Sequence, residues 1–324
     1  MKLDEATIDV LMELQYNFPL TPTPYADVAS RLGLSEDFVL TALRRLKDSG
    51  ILKRVGFYLN YRASGLAAAL VAFSTRGRFS SLVDELRRDE LTTHSYLRSH
   101  PVYDVWIVTK AESRERLLEK VRRLALRHNI ERYIVLFSAK TYKLSVKYDL
   151  RRGISRAGRW SMVAQNPPSP QQLGVDPAIL RRLRSLPLES RPYKSVAEAH
   201  GLTEEEVVSM AREMLSKGVL GDPGAALDGH KVGFRENGMV VVGGDNIEVT
   251  CSRIAEAVEE ATHVVLREPH PPGSWDKPCY FMVHATSKNL LEAVVSDRMD
   301  ALGVDRKQYE IIYSLEDLKP GTVR

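Results

Sequence analysis

The pentapeptide His94-Ser95-Tyr96-Leu97-Arg98 places three chemically capable side chains at alternate positions. In a β-strand successive side chains point to opposite faces. His94, Tyr96 and Arg98 therefore share one face, while Ser95 and Leu97 take the other. An imidazole that titrates near neutral pH, a hydrogen-bonding phenol and a guanidinium fork would then lie side by side. That set suits proton transfer to a substrate whose carboxylate is gripped by the arginine. For an isolated trio the default is a plain sheet histidine beside an exposed arginine. His263 and Arg267 recur at the same spacing, which favours a site. No GxSxG, HExxH or P-loop motif occurs, and Gly243-Gly244 fits no phosphate-binding pattern. Cys251 and Cys279 have no CxxC or His-rich companion, so no metal site is expected.

The recurrence belongs to a duplication of the whole chain. At an offset of 168, Phe18-Pro19-Leu20 meets Leu186-Pro187-Leu188, Gly33-Leu34-Ser35-Glu36 meets Gly201-Leu202-Thr203-Glu204, and Gly50-Ile51-Leu52 meets Gly218-Val219-Leu220. At 169, Thr93-His94 meets Thr262-His263 and Leu97-Arg98 meets Leu266-Arg267. After about six further inserted residues, Val105-Trp106-Ile107-Val108 lines up with Tyr280-Phe281-Met282-Val283. Each copy opens with a helical part. Residues 3–16 have a helical period at Ile8, Leu11 and Leu14, 26–32 end at Gly33, and 36–49 run from the Ser35 cap to Gly50. Two short helices about a Gly-containing turn, followed by a strand pair, make a winged helix-turn-helix. The remainder spells strand, helix, strand, strand, helix, strand over 66–74, 79–89, 93–99, 105–109, 112–128 and 133–142. The second copy does so over 238–242, 251–261, 263–267, 279–285, 288–302 and 309–313. That is the ferredoxin-like βαββαβ order. The expected fold is therefore α+β, a tandem duplication forming an intramolecular pseudo-dimer. Its parts are a first winged helix-turn-helix (1–62) with a ferredoxin-like domain (63–150), and a second pair (176–230 and 231–324). A basic Pro-containing linker, 151–175, joins them.

Length and charge bound the rest. The chain has 324 residues, 44% hydrophobic and 27% charged, enough for more than one core. No run reaches the 18–20 apolar residues of a membrane span, and the acidic start does not read as a signal peptide, so the expectation is cytoplasmic. Residues 1–150 hold 24 Lys/Arg against 18 Asp/Glu, 151–175 hold four Arg and no acid, and 176–324 hold 18 against 24. A basic half joined to an acidic half does not suggest a uniformly basic nucleic-acid binder.

A winged helix followed by βαββαβ resembles the Lrp/AsnC family of regulators over essentially the whole chain, in two copies. Narrower stretches resemble the siroheme decarboxylases, the paired Ahb-type and Nir-type proteins. In copy one these are Arg54-Val55-Gly56-Phe57, Asn60-Tyr61-Arg62, Thr93-His94-Ser95-Tyr96-Leu97-Arg98 and Val105-Trp106. In copy two they are His230-Lys231-Val232-Gly233-Phe234, Asn237-Gly238-Met239, Thr262-His263 with Arg267, and Phe281-Met282-Val283-His284. Tyr313-Ser314 through Leu318-Lys319 complete the set. The arrangement is similar to a single-chain version of the two-subunit enzyme.

The resemblance implies a substrate, siroheme, which is an iron macrocycle with eight carboxylates. Two acetate arms would lose carbon dioxide to give 12,18-didecarboxysiroheme, in the alternative heme pathway or in heme d1 formation. No added cofactor is implied, since the macrocycle itself takes up the electrons. Arg98 and Arg267 would hold carboxylates, Tyr96 would orient a substrate arm, and His94 or His263 would supply the proton. Arg54, Arg62 and Lys231 would hold further carboxylates from the wings. His100 and Trp106 would line the pocket. Copy two departs from the pattern, with Val264 and Val265 in place of Ser95 and Tyr96, so one productive site is expected.

Two other readings remain at this point: an Lrp-type DNA-binding regulator, and a tetrapyrrole sensor without turnover. Against DNA, the recognition helices open on Glu36-Asp37 and on Glu204-Glu205-Glu206, where phosphates would be repelled. Arg44, Arg45 and Lys47, with Arg212 and Lys217 in copy two, lie further along. Further homo-oligomerisation stays open.

Overall fold

The computed structural model describes residues 3–320. In chain order, α1 (Glu5–Tyr16), α2 (Pro24–Leu32), α3 (Glu36–Asp48) and β1 (Leu52–Leu59) precede β2 (Ala67–Phe73), α4 (Ser80–Arg88), β3 (Thr92–Arg98), β4 (Val105–Ala111), α5 (Arg114–Arg127) and β5 (Tyr133–Leu144). Two short strands follow, β6 (Tyr148–Asp149) and β7 (Ile154–Ser155). Copy two brings α6 (Pro177–Leu183), α7 (Lys194–His200), α8 (Glu204–Ser216) and β8 (Leu220–Leu227). It ends with β9 (Glu236–Val242), α9 (Ile247–Ala257), β10 (His263–His270), β11 (Cys279–Ala285), α10 (Lys288–Ala301) and β12 (Tyr309–Asp317). The chain divides into two compact units, Met1–Ser64 with Leu144–Arg235, and Gly65–Lys143 with Glu236–Arg324.

The first unit holds both helical parts around one core, from Leu11, Leu14, Val39 and Leu43 to Leu183, Val207 and Leu215. Ser35 accepts the Phe38 amide at the start of α3, and Thr203 forms a reciprocal capping box with Glu206 at the start of α8. The wing differs from the expected strand pair. Each copy supplies one strand, and β1 pairs with β8 antiparallel, with Gly56 opposite Gly224. A hairpin needs a return strand within its own copy; here the other copy supplies it. The glycines permit close approach to the helices: a Cβ on Gly56 would lie 2.5 Å from the Arg184 carbonyl oxygen, and one on Gly224 would run into that of Leu14. Segment 151–175 packs on this unit, where Arg151 pairs with Glu5 and Asp9, and the Arg156 guanidinium covers the Tyr16 ring at 4.2 Å.

The second unit holds the two βαββαβ parts. Within each copy the strands run in the order last, first, third, second: β5-β2-β4-β3 and β12-β9-β11-β10. The two sheets are joined edge to edge at both seams. β3 pairs with β12, and β10 pairs with β5, so the eight strands close on themselves. One face of the copy-one sheet carries α4 and α5 over Val71, Phe73, Ile107 and Val135. The other faces a shared apolar interior with Leu70, Trp106, Leu136, Met239, Val241, Tyr280 and Ile312. β12 runs past the expected 313 to Asp317 because its end pairs with β3, a non-local contact that local patterning does not reveal. Helix α9 spans 247–257 instead of 251–261, beginning after Asn246 in the left-handed region. Cys251 and Cys279 form a disulfide that ties α9 to β11.

Lys143 ends the β5 stretch of this unit, 5% exposed, and its Nζ donates to the Val258 carbonyl at 2.7 Å. Burial pulls its pKa down to about 8. An unfolded lysine titrates near ~10.4, so between those values the unfolded chain holds more protons, and stability rises with pH. The urea midpoint is expected to climb from pH 8 to about pH 9.5, and Lys143→Met should flatten that climb. Equal slopes for the wild type and the variant would contradict this.

Candidate active site

β3 runs beside β4 with His94 opposite Val108, Ser95 opposite Ile107 and Tyr96 opposite Trp106. Directly paired residues share a face. Val108 and Trp106 border the shared interior, and so therefore do His94 and Tyr96, with Arg98 two residues on. Ser95 and Leu97 turn toward the helices, with Leu97 packed in their core. The three rings and groups line up as alternation requires. His94 and Tyr96 have centroids 6.4 Å apart, and the Arg98 Cζ lies 4.9 Å over the Tyr96 ring. Arg98 is 5% exposed and donates from Nη1 to the Ile312 carbonyl at 3.3 Å. It is a buried cation, and burial without ionic or hydrogen-bonded partners would be costly.

Copy two repeats this arrangement on β10. His263 stands opposite Met282 and Val265 opposite Tyr280. Arg267 donates to the Leu136 carbonyl at 3.3 Å and to Ser138 Oγ at 3.2 Å. The two arginines thus act reciprocally, each reaching the last strand of the other copy. The ladders also correct the alignment of the copies. Trp106 corresponds to Tyr280, and the insertion is five residues, because His94 and His263 meet Val108 and Met282. Phe281 falls on the opposite face.

A feature not anticipated from the sequence is the threonine before each histidine. Thr93 Oγ1 lies 2.8 Å from His94 Nδ1, and Thr262 Oγ1 lies 3.1 Å from His263 Nδ1. Thr262 also donates to the Met282 carbonyl at 3.3 Å, and Thr93 to that of Val108 at 3.5 Å. A hydroxyl that gives its proton to a carbonyl accepts from the ring, so we assign the proton to Nδ1 and leave Nε2 as the exchanging atom. The signal was present in the repeated Thr-His dipeptide.

At the end of β3, His100 Nδ1 accepts the amides of Val102 (3.1 Å) and Tyr103 (3.0 Å), which fixes the proton on Nε2. Burial lowers its pKa, so it stays neutral. Its ring sits among Tyr103, Trp106 and Trp275, at 5.4, 5.9 and 5.6 Å. Trp106 is 1% exposed and donates to the Tyr103 carbonyl at 2.9 Å, forming a wall of the interior. Trp275, on the copy-two insertion, was not anticipated.

Arg54, Arg62 and Lys231 belong to the other unit and have bonds there. Arg54, 7% exposed, donates to the carbonyls of Phe57 (3.2 Å) and Arg184 (3.1 Å), and burial lowers its pKa to about 10. Lys231 Nζ donates to the Ser49 carbonyl at 2.7 Å, at the end of α3. The Arg62 guanidinium lies 5.7 Å from the centre of the Tyr61 ring. No cluster of three or more His, Cys, Asp or Glu suited to a metal ion occurs among the described residues.

A duplicated winged helix and a closed pair of ferredoxin-like sheets, with His and Arg recurring on equivalent strands and facing a shared interior, define a ligand-binding rather than a purely structural protein. The model of the AsnC-like ligand binding domain matches residues 63–143 and 231–319, and that of the siroheme decarboxylase NirDL-like HTH domain matches 8–52 and 176–220. The chain belongs to the AsnC-like ligand-binding family, in its siroheme decarboxylase NirDL-like branch. It is 27% identical over 305 residues to the siroheme decarboxylase NirDL subunit of Paracoccus pantotrophus, covering 92% of this chain and 90% of that protein. Over 114 residues it is 34% identical to the siroheme decarboxylase alpha subunit of Desulfovibrio desulfuricans, which spans 35% of this chain and 64% of that subunit. The crystal structure of the siroheme decarboxylase NirDL in co-complex with an iron-uroporphyrin III analogue superposes with a TM-score of 0.62 at 19% identity, over 97% of this chain and 92% of that one.

Proposed function

We propose that the protein is a siroheme decarboxylase that removes carbon dioxide from two acetate arms and needs no added cofactor. The observation that carries this reading is the recurrence of a partly buried His and an Arg, buried at 98 and half-buried at 267, on β3 and β10, facing one apolar interior, in a chain similar to NirDL along its length. An arginine holds the carboxylate, and the apolar surroundings strip its water, which favours loss of charge as neutral carbon dioxide. The bond to the carboxyl carbon breaks and its electron pair stays on the methylene carbon, spread into the macrocycle. The imidazolium Nε2 of His94 or His263 then delivers a proton there, leaving a methyl group and a neutral histidine that solvent recharges. The iron arrives as part of the substrate.

The decisive test is anaerobic incubation of the pure protein with siroheme, followed by mass analysis of the extracted tetrapyrrole. Loss of two carbon dioxide units is expected. An unchanged mass with a shifted absorption band would mean a binder without turnover.

The winged helices support a scaffold role. Arg44 Nη2 of α3 donates to the Leu188 carbonyl at 2.8 Å, and Arg212 of α8 donates to that of Leu20, a reciprocal brace that engages one arginine of each recognition helix. Lys47 bonds the Lys53 carbonyl and Lys217 pairs with Glu213 at 2.7 Å. No submicromolar binding to duplex DNA is expected in gel-shift titrations at physiological salt. Tight binding with a steep salt dependence would favour the regulator.

A further inference from the structure

The loss of the strand tyrosine in copy two looks like the loss of half a site, because Val265 stands where copy one has Tyr96. The ladders show a compensating exchange. In copy one the paired positions on β3 and β4 hold Tyr96 and Trp106; in copy two the same pair on β10 and β11 holds Val265 and Tyr280. The phenol has moved across the ladder while staying on the same face. Tyr280 lines the shared interior and is 3% exposed. The Arg267 Cζ lies 5.2 Å from its ring centre, against 4.9 Å for Arg98 over Tyr96. As a diagonal neighbour across the ladder, His263 is within reach of Tyr280, since i and j±2 positions on one face lie roughly 7–8 Å apart. The hydroxyl of Tyr280 is buried with the Trp275 indole beside it, the ring centres 6.5 Å apart. Burial raises its pKa far above the ordinary tyrosine value, so it remains a proton-bearing donor.

We propose that copy two carries its own complete set, His263, Tyr280 and Arg267, which serves one acetate arm while His94, Tyr96 and Arg98 serve the other. The proposal rests on the decarboxylase reading and assigns Tyr280 as the phenol that orients a substrate carboxylate in the second half. Each set performs one proton-balanced loss of carbon dioxide, so disabling one set stalls the reaction after a single loss.

The test compares Tyr96→Phe and Tyr280→Phe in the full chain, under single turnover with siroheme, with the product mass and the position of the new methyl group both determined. Each variant should slow one loss by at least about tenfold, a general effect of removing a positioned hydrogen-bond donor. Each should also accumulate a singly decarboxylated product, and the two products should be different positional isomers. A merely structural role for Tyr280 would slow both losses together and give one isomer pattern. That outcome, or wild-type kinetics for Tyr280→Phe beside a Tyr96→Phe variant blocked in both losses, would overturn the proposal. Wild-type protein that binds siroheme and releases no carbon dioxide would instead overturn the decarboxylase reading, and the proposal with it.

Discussion

His94→Ala is expected to lower the rate of double decarboxylation by about 10²–10⁴ while siroheme binding, followed by its absorption band, stays near the wild-type value. The factor corresponds to roughly 3–5 kcal/mol of lost transition-state stabilisation. On the proposed reading it falls on turnover, because the arginine and the apolar interior that would hold the substrate are untouched. The imidazole matters only when a proton reaches the carbon. Its placement depends on a rigid strand and on Thr93, which holds Nδ1 and leaves Nε2 for transfer. His263→Ala should act in the same way, and a loss under tenfold in both variants would defeat the assignment of either histidine as proton donor.

The largest stability effect is expected at Gly224. This residue pairs with Gly56 in the β1–β8 ladder, has φ +132, and packs against the Leu14 carbonyl of α1. An alanine there must push its Cβ into backbone and also adopt a conformation that L-residues avoid. Strain of about 1–3 kcal/mol and overpacking of similar size add to roughly 3 kcal/mol or more. Urea unfolding of Gly224→Ala should show a midpoint shift of that size, and Gly56→Ala, against the Arg184 carbonyl, a comparable one. A shift below about 1 kcal/mol at both positions would mean the two copies are not seated on each other through these glycines.

Much of this was legible in the chain because the repeat doubles every signal. Gly33, Gly50, Gly201 and Gly218 close helices in both copies, and the alternation in His94-Ser95-Tyr96-Leu97-Arg98 assigns the correct face. What was missed is non-local. The pairing of β1 with β8 joins residues some 170 positions apart, and no local pattern reports which strand a wing will meet. Tyr280 was hidden by a single-residue slip. Matching Trp106 to Phe281 assigns an interior residue to the helix side, since a one-residue shift in a strand exchanges its faces. Arg54 and Lys231 are expected from the sequence to hold carboxylates from the wings; in the structure both donate to carbonyls of their own unit, Arg54 buried and Lys231 exposed, destinations set by packing alone.

The closed ring of strands has a bearing on stoichiometry. Were the halves separate and identical, rotational symmetry would impose the same residues on both seams, and every substitution would be copied across the axis. Separate but different halves would assort into three pairings, only one of them mixed. Joining them in one polypeptide makes the mixed pairing obligatory: every molecule presents one wall with Tyr96 and Trp106 and one with Val265 and Tyr280. The two walls are then free to diverge, each toward a different edge of a ligand whose own edges differ.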